Sequence, residues 1–377
     1  MRDLSFGVIG WGYWGPKIAR NLDNLQEAKV TMVADLDARR LAPLSVKYSE
    51  MRTTTQIEGV FHSDVDGVVI ATPVRTHYQL AKEALLHGKH VLVEKPLTAN
   101  VAEAEELVAL AQERQRILMV GHTFEYNPAV NELRKLVQSG DLGKIYCIEA
   151  ERLNLGLFRN DINVIWDLAP HDVSILLYLL GKGPVQVEVQ AHAHLQPHIH
   201  DIAHLNLGFT DGMTAHIHVS WLHPSKIRRV TVIGNARMAV YDDTNPAEML
   251  KIYNKGAHVH ADPGVSYRFG EVTIPYIDWI EPLHLECEDF ANAIRTGGQP
   301  RAHGGVGLEV VRVLAAVQEA LEMQEGRSLS IQNYQSVRED PLPFREGDES
   351  TALGNARNHF RFCTPVQEER GSTLKTE

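Results

Sequence analysis

Gly10-Trp11-Gly12-Tyr13-Trp14-Gly15 follows directly on an apolar run at 4–9 and opens a helical stretch. A GxGxxG at a strand-to-helix junction limits the fold more than any other feature of the chain. Its first glycine permits a tight turn, its second lets backbone approach a pyrophosphate, and its third lets helix and strand pack closely. Free N–H groups and the positive helix end then suit phosphates. The motif alone is weak, since glycine-rich turns are common. Asp35 strengthens it by ending the second apolar run about 20 residues on, where a carboxylate bonds ribose hydroxyls. A solvated strand-end acid is the plainer reading of Asp35, but the two features in register predict dinucleotide binding. Asp35 would repel a 2′-phosphate, which favours NAD, while Arg39 and Arg40 keep NADP open. Trp11, Tyr13 and Trp14 could pack on the cofactor or serve ordinary loop packing.

Apolar runs at 4–9, 29–34, 67–71, 90–94 and 117–121 alternate with helical periodicity, clearest at 79–86 and 101–114. Continuous apolar strands separated by helices mean a parallel sheet covered on both faces. The expectation for 1–122 is therefore an α/β, doubly wound Rossmann domain. Beyond a helix at 128–137 and a strand at 144–151 the grammar changes. A helix at 168–180 precedes alternating runs at 185–195, 203–209, 213–221, 227–233 and 238–242, joined by turns such as Thr210-Asp211-Gly212. That pattern predicts a large, mostly antiparallel sheet in an α+β domain over 123–339, finished by helices at 281–295 and 305–324. Residues 340–377 are polar and without period. They read as a poorly ordered tail, or as an arm packed on a neighbouring subunit.

With 48 acidic against 37 basic residues the net charge is −11, so nucleic acid is an unfavoured partner. Cys147, Cys287 and Cys363 are scattered, which fits a reducing compartment and no zinc ribbon. The N-terminus reads as a strand rather than a signal peptide, and no run approaches the roughly 20 apolar residues of a membrane span. A cytoplasmic location is expected.

Glu94-Lys95-Pro96 closes the run at 90–94, so Lys95 stands at the carboxyl end of a parallel strand, where doubly wound folds bind ligands. The following proline biases Lys95 to an extended backbone. Ala71-Thr72-Pro73 and then Arg75-Thr76-His77 lie on the same sheet edge as the glycine loop. Cofactor ribose would run there, and Thr72 as a helix cap is the alternative. Asp167 and His171, four apart around Pro170, would share one face of the later helix. A histidine near a helix N-terminus has a lowered pKa and suits a general base. An N-cap role for Asp167 and an interior histidine at 171 are the plainer readings.

Gly10-x-Gly12-x-x-Gly15, Glu94-Lys95-Pro96 and Asp167-x-x-x-His171 together resemble the Gfo/Idh/MocA oxidoreductase family over about residues 4–332. The glycine loop is generic; the lysine–proline with the Asp/His pair is specific. The resemblance implies that Lys95 polarises a sugar or polyol hydroxyl, that His171 takes its proton, and that Asp167 orients the pair. Glu94 and Lys95 would also touch the nicotinamide ribose. Segments 154–159, 166–172, 238–243 and 281–287 look like the branch that oxidises C3 of UDP-N-acetylglucosamine in amino-sugar biosynthesis. Tyr126 is expected to contact substrate, although in its segment Gly121-His122-Thr123-Phe124-Glu125-Tyr126-Asn127-Pro128 many relatives carry arginine at the position of Glu125, which puts that segment's sugar contacts in doubt. Arg152 and Arg159 are candidates for an anionic group such as a pyrophosphate, or are surface arginines.

Other enzyme readings are a polyol (myo-inositol-type) dehydrogenase and a ketosugar reductase; the non-enzyme reading is an NAD-binding regulatory protein. His192, His194, His198, His200, His204, His216, His218, His223, His258 and His260 are dense enough to raise a metal site. No carboxylate or cysteine joins them at a recognisable spacing. The family uses the exposed face of this sheet for subunit contact, so a homodimer or homotetramer interface is expected and no metal.

Overall fold

The structure, a computed structural model, describes residues 2–47, 51–259 and 264–325. The order of elements is β1 (Leu4–Ile9), α1 (Gly15–Asp23), β2 (Ala28–Ala34), α2 (Ala38–Lys47), β3 (Arg52–Thr54), α3 (Glu58–Phe61), β4 (Gly67–Ile70), α4 (His77–Leu86), β5 (His90–Val93), α5 (Val101–Glu113) and β6 (Leu118–Val120). These six strands form one parallel sheet in the order β3-β2-β1-β4-β5-β6. The order reverses between β1 and β4, and the crevice beyond such a switch point is where open α/β sheets bind ligands. Every residue of β4 is buried, as a strand covered on both faces must be.

The chain continues through α6 (Pro128–Ser139), β7 (Ile145–Leu155), α7 (Val164–Leu180), β8 (Gln186–His192), β9 (Ile202–Gly208), β10 (Thr214–Ser220), β11 (Leu222–Gly234), β12 (Met238–Asp242), β13 (Leu250–Val259), β14 (Val265–Thr273), α8 (Pro282–Thr296) and α9 (Gly304–Glu325). Its eight strands form a second sheet, β14-β13-β12-β11-β7-β10-β9-β8, antiparallel except where β10 runs parallel to β7. The architecture is thus the expected α/β Rossmann sheet plus a mostly antiparallel α+β sheet. Alternation decides its faces: in β9 and β10, Ala203, Leu205, Ala215 and Ile217 face a core shared with Ala169, Val173 and Leu176 of α7. Each leucine, isoleucine or valine among them contributes about 1.5–3 kcal/mol on burial. The opposite face carries His204 and His218, whose rings stack at 4.0 Å.

Three strands differ from the sequence expectation. None of them was among the expected strands: β3 is only three residues long, β13 is the strand between β12 and β14, and β14 is an edge strand exposed on nearly all its side chains. The helix expected from 168 starts instead at Val164, because Asn163 caps it by accepting from the Trp166 N–H at 3.1 Å. Pro170 therefore lies inside α7 rather than in its first turn, and Asp167 is not its cap.

Among the described residues no helix is long and apolar enough to cross a membrane, and no three His, Cys, Asp or Glu side chains gather as a metal site. The tail at 340–377 and His260 lie outside the described residues.

Candidate active site

The glycine loop is built as its spacing requires. Gly10 has φ +97°, and a Cβ there would lie 2.5 Å from the Ala71 carbonyl oxygen. A Cβ on Gly15 would overlap the Gly10 carbonyl, so helix and strand meet only through glycine. At Gly12 a Cβ would face open space, with nothing nearer than Arg40 at 3.8 Å. Gly12 thus opens onto a cleft of about 520 Å³ lined by Gly10, Asp35, Arg40, Thr72, Pro73 and Arg159, among others. The cleft, the bare Gly12 and an α1 N-terminus without a side-chain cap fit a dinucleotide.

Asp35 is 7% exposed and accepts from the Trp11 N–H at 2.7 Å and the Asp37 N–H at 2.8 Å, with Arg40 at 3.3 Å. Arg39 is turned away onto Asp37. Thr72 does not cap α4; its hydroxyl bonds that of Thr76 at 2.7 Å. Three expected cofactor side chains need correction. Tyr13 and Trp14 pack edge to face at 5.3 Å with Lys17 over the Tyr13 ring, and neither lines the cleft. His77 is buried, its ring nitrogens each 2.8 Å from a carbonyl oxygen, of Pro96 and of Thr72. It ties the ends of β4 and β5 together instead of facing a ligand.

Lys95 leaves the end of β5 and donates to the Asp167 carbonyl at 2.6 Å, with the Asp167 carboxylate at 3.8 Å. Burial lowers the Lys95 pKa, opposed by Asp167 and Glu94. Glu94 is buried and its pKa is pushed up to about 7 by burial, against the pull of Lys95. Asp167 accepts from the Trp221 indole N–H at 3.0 Å and lies 3.6 Å from Arg159. His171 packs edge-on against Phe124 at 5.2 Å. Its pKa is held well below the usual range by burial first, then by Lys95 and Arg152. The cause expected from the sequence was a helix end, but His171 lies two turns inside α7, beyond the reach of the terminal dipole. A half-buried imidazole held neutral beside a desolvated lysine is the arrangement of a base paired with an electrostatic stabiliser.

Two candidates for substrate contact are engaged elsewhere. Arg152 is buried and grips Asp172 bidentately at 2.8 and 2.9 Å. Its donors are not free for a pyrophosphate, and Asp172 went unpaired in the sequence reading although a buried arginine requires a carboxylate. Tyr126 is 2% exposed; its hydroxyl donates to Asp289 at 2.7 Å and accepts from the Ala302 N–H at 3.2 Å. It fastens its turn to α8 rather than meeting a sugar. Arg159, by contrast, is 36% exposed, is held by Asp161 at 3.0 Å and lines the cleft. Trp221, 54 residues from Asp167, is revealed as its partner only by the fold, whereas Asp161, two residues from Arg159, could have been paired with it from the sequence.

Comparison with known proteins agrees with this architecture. Residues 4–122 match an oxidoreductase family with an NAD-binding Rossmann fold, and residues 130–240 match the GFO/IDH/MocA C-terminal domain. The chain belongs to the Gfo/Idh/MocA oxidoreductase family. The chain is 33% identical over 324 residues to UDP-N-acetylglucosamine 3-dehydrogenase of Acidithiobacillus ferrooxidans, covering 85% of this chain and 98% of the relative. A solved structure of that enzyme superposes with a TM-score of 0.71 at 31% identity, over 86% of this chain and 99% of its own. Inositol 2-dehydrogenase of Rhizobium meliloti is 24% identical, over 85% of this chain and 98% of its own.

Proposed function

We propose that this family member is an NAD-dependent dehydrogenase that oxidises C3 of a UDP-N-acetylhexosamine to a ketone, a step toward an amino sugar. The observation that carries the chemistry is the meeting of Lys95, Asp167 and His171 at the switch-point side of the Rossmann sheet, with Lys95 bonded to α7. The substrate class leans on the near full-length similarity to the UDP-N-acetylglucosamine enzyme.

Gly10, Gly12 and Gly15 would hold the pyrophosphate of NAD, and Asp35 its adenosine ribose. Thr72, Pro73 and Glu94 would border the rest of the cofactor. Bound there, NAD supplies the hydride acceptor. His171, neutral at physiological pH, takes the hydroxyl proton. Lys95 lies ready to stabilise charge developing on that oxygen, and Asp167, fixed by Trp221, orients Lys95. Arg159, half-exposed on the cleft although held by Asp161, is the arginine placed to meet a phosphate. A fixed Asp35 beside the ribose site, with Arg39 occupied by Asp37, favours NAD over NADP. We place the domain border at 122/123 and assign the open face bearing His204 and His218 to contact with a second copy.

Similarity to inositol 2-dehydrogenases supports a second reading, oxidation of a free polyol by the same residues. Nicotinamide reduction with UDP-N-acetylglucosamine, N-acetylglucosamine and myo-inositol, coupled to an aminotransferase, separates the two. Reduction with the nucleotide sugar alone is expected; reduction with myo-inositol alone overturns the substrate assignment.

A further inference from the structure

Behind Lys95, where the ends of β5 and β6 meet the turn Thr123–Tyr126 and α8, lies a set of buried polar groups of which the chemistry above uses only Glu94, at the border of the cofactor site. His122 follows β6, is 0% exposed, and neither of its ring nitrogens has a hydrogen-bond partner. Glu286, on the inward face of α8, is also 0% exposed with both carboxyl oxygens unpartnered. The Thr123 hydroxyl nearby eases its charge only in part. Glu125 is 1% exposed with one oxygen unpartnered. Glu94 completes the group: the bare Cα of Gly121, one residue before His122, lets its carboxyl approach to 3.4 Å from where a Cβ would stand.

A folded chain leaves few buried polar atoms unpaired, and each that it does leave asks for ordered water or a function. Here five such atoms on three side chains sit together, and His171 adds a sixth in its buried Nδ1. His171 feels Lys95 and His122, His122 feels Lys95, Lys95 feels Glu94, and Glu286 feels both Glu94 and Glu125, so Lys95 is the electrical link between the histidines and the carboxyls. The outer end is at Glu125, whose backbone carbonyl accepts from the exposed Arg301.

We propose that His122, Glu94, Glu286 and Glu125, bridged by buried water, form a path that carries the substrate's hydroxyl proton from His171 to solvent beside Arg301. The path rests on the dehydrogenase reading above. For each substrate oxidised, the carbinol C–H leaves as hydride to NAD and the O–H proton goes to His171. The imidazolium yields its Nδ1 proton inward through water to His122. Each later group accepts one proton on its inner side and releases one on its outer side, so one proton emerges and the proton count of every group is unchanged; tautomer exchange of the imidazoles and rotation of the carboxyls then reset the path. Amide or alkyl side chains would fill the same space but could not do this. His122, Glu286 and Glu125 are thus positioning residues acting through His171, not catalytic ones.

A substrate-free measurement tests the path first. Infrared difference spectra of the wild type and Glu286→Gln identify the protonated-carboxyl band of Glu286. On transfer into D₂O that band is expected to shift within the mixing time, because a water-connected carboxyl exchanges at once. Glu125→Gln, which blocks the mouth, should slow the shift. A band that persists for hours in the wild type, or no band lost in Glu286→Gln, overturns the path. In turnover, Glu286→Gln should lower the oxidation rate by about 10²-fold, the low end of an acid–base contribution, with NAD binding intact. It should also raise the solvent deuterium isotope effect, and Glu286→Asp should restore part of the rate. Wild-type rate and isotope effect in both Glu286→Gln and His122→Asn would likewise overturn it. Prompt exchange in a protein inert toward UDP-N-acetylglucosamine would sink the substrate assignment and leave the path standing.

Discussion

Lys95 at the end of β5 donates to the backbone carbonyl of Asp167 in α7, at 2.6 Å, while the Asp167 carboxylate is held by Trp221. A strand end of the Rossmann sheet and a helix of the second sheet's layer are thereby locked in one register. Burial lowers the Lys95 pKa, and the Asp167 and Glu94 carboxylates oppose that shift. Lys95→Met should lower turnover by about 10²–10³-fold, the cost of removing one preorganised donor. NAD binding by calorimetry should change little, and turnover within threefold of wild type would contradict the role.

Trp221→Phe removes the one indole donor to Asp167 and leaves the carboxylate free to swing toward Arg159. The expected effect falls on kcat rather than KM, because substrate contacts stay in place while Lys95 loses its orientation. A rise in KM with unaltered kcat would instead make Trp221 part of the binding surface.

The glycines of the loop should separate by mutation. Gly12→Ala meets no atom and should keep the wild-type melting temperature while weakening NAD binding about tenfold or more, because the methyl stands where backbone must approach pyrophosphate. Gly10→Ala forces a left-handed φ and a clash with Ala71, so it should lose stability as well. Equal stability of the two variants, by thermal melting, would refute the geometry.

Much of this site is legible in the chain and part of it is not. The glycine loop, Asp35 and Lys95 could be located because each sits at the end of a continuous apolar strand, and parallel topology brings those ends to one edge. Asp167 and His171 were found by spacing, but the helix start was displaced: Pro170 suggests a first turn, whereas Asn163 caps the helix seven residues earlier. Arg152 and Tyr126 look like ligand contacts in sequence because both side chains are polar and lie near the motifs. Their partners, Asp172 and Asp289, lie 20 and 163 residues away, and only the fold pairs them.

Arg152→Met tests that correction. Breaking a buried ion pair strands Asp172, so a loss of about 3–5 kcal/mol in unfolding free energy is expected. An unaltered denaturant midpoint with a raised KM would restore Arg152 to the substrate site.

The acid limb of the rate profile reports His171. Only the neutral ring accepts a proton, and its folded pKa is depressed by burial and Lys95. The rate of oxidation should therefore hold as pH falls through about 6.5, the ordinary histidine value, and decline only below it. A limb at or above that value would place the base elsewhere.

Buried carboxyls give the opposite sign in stability. Burial pushes Glu125 up to about 8, so the folded state holds a proton that the unfolded chain releases above its ordinary value of 4.5. Stability is then lost as pH rises from 4.5 through 8. Glu125→Gln removes that loss and should gain about 1–3 kcal/mol at pH 8.5, and less at pH 5.5. A pH-independent difference by chemical denaturation would show Glu125 ionised in the fold.

Hydride transfer from C3 is the central claim. The most direct measurement uses UDP-N-acetylglucosamine carrying deuterium at C3, incubated with the protein, NAD and the aminotransferase, followed by mass analysis of the reduced cofactor. The account predicts deuterium in the NADH formed and a slowed rate. Unlabelled NADH would move the chemistry to another carbon, and the absence of NADH with wild-type protein that binds NAD would contradict the assignment.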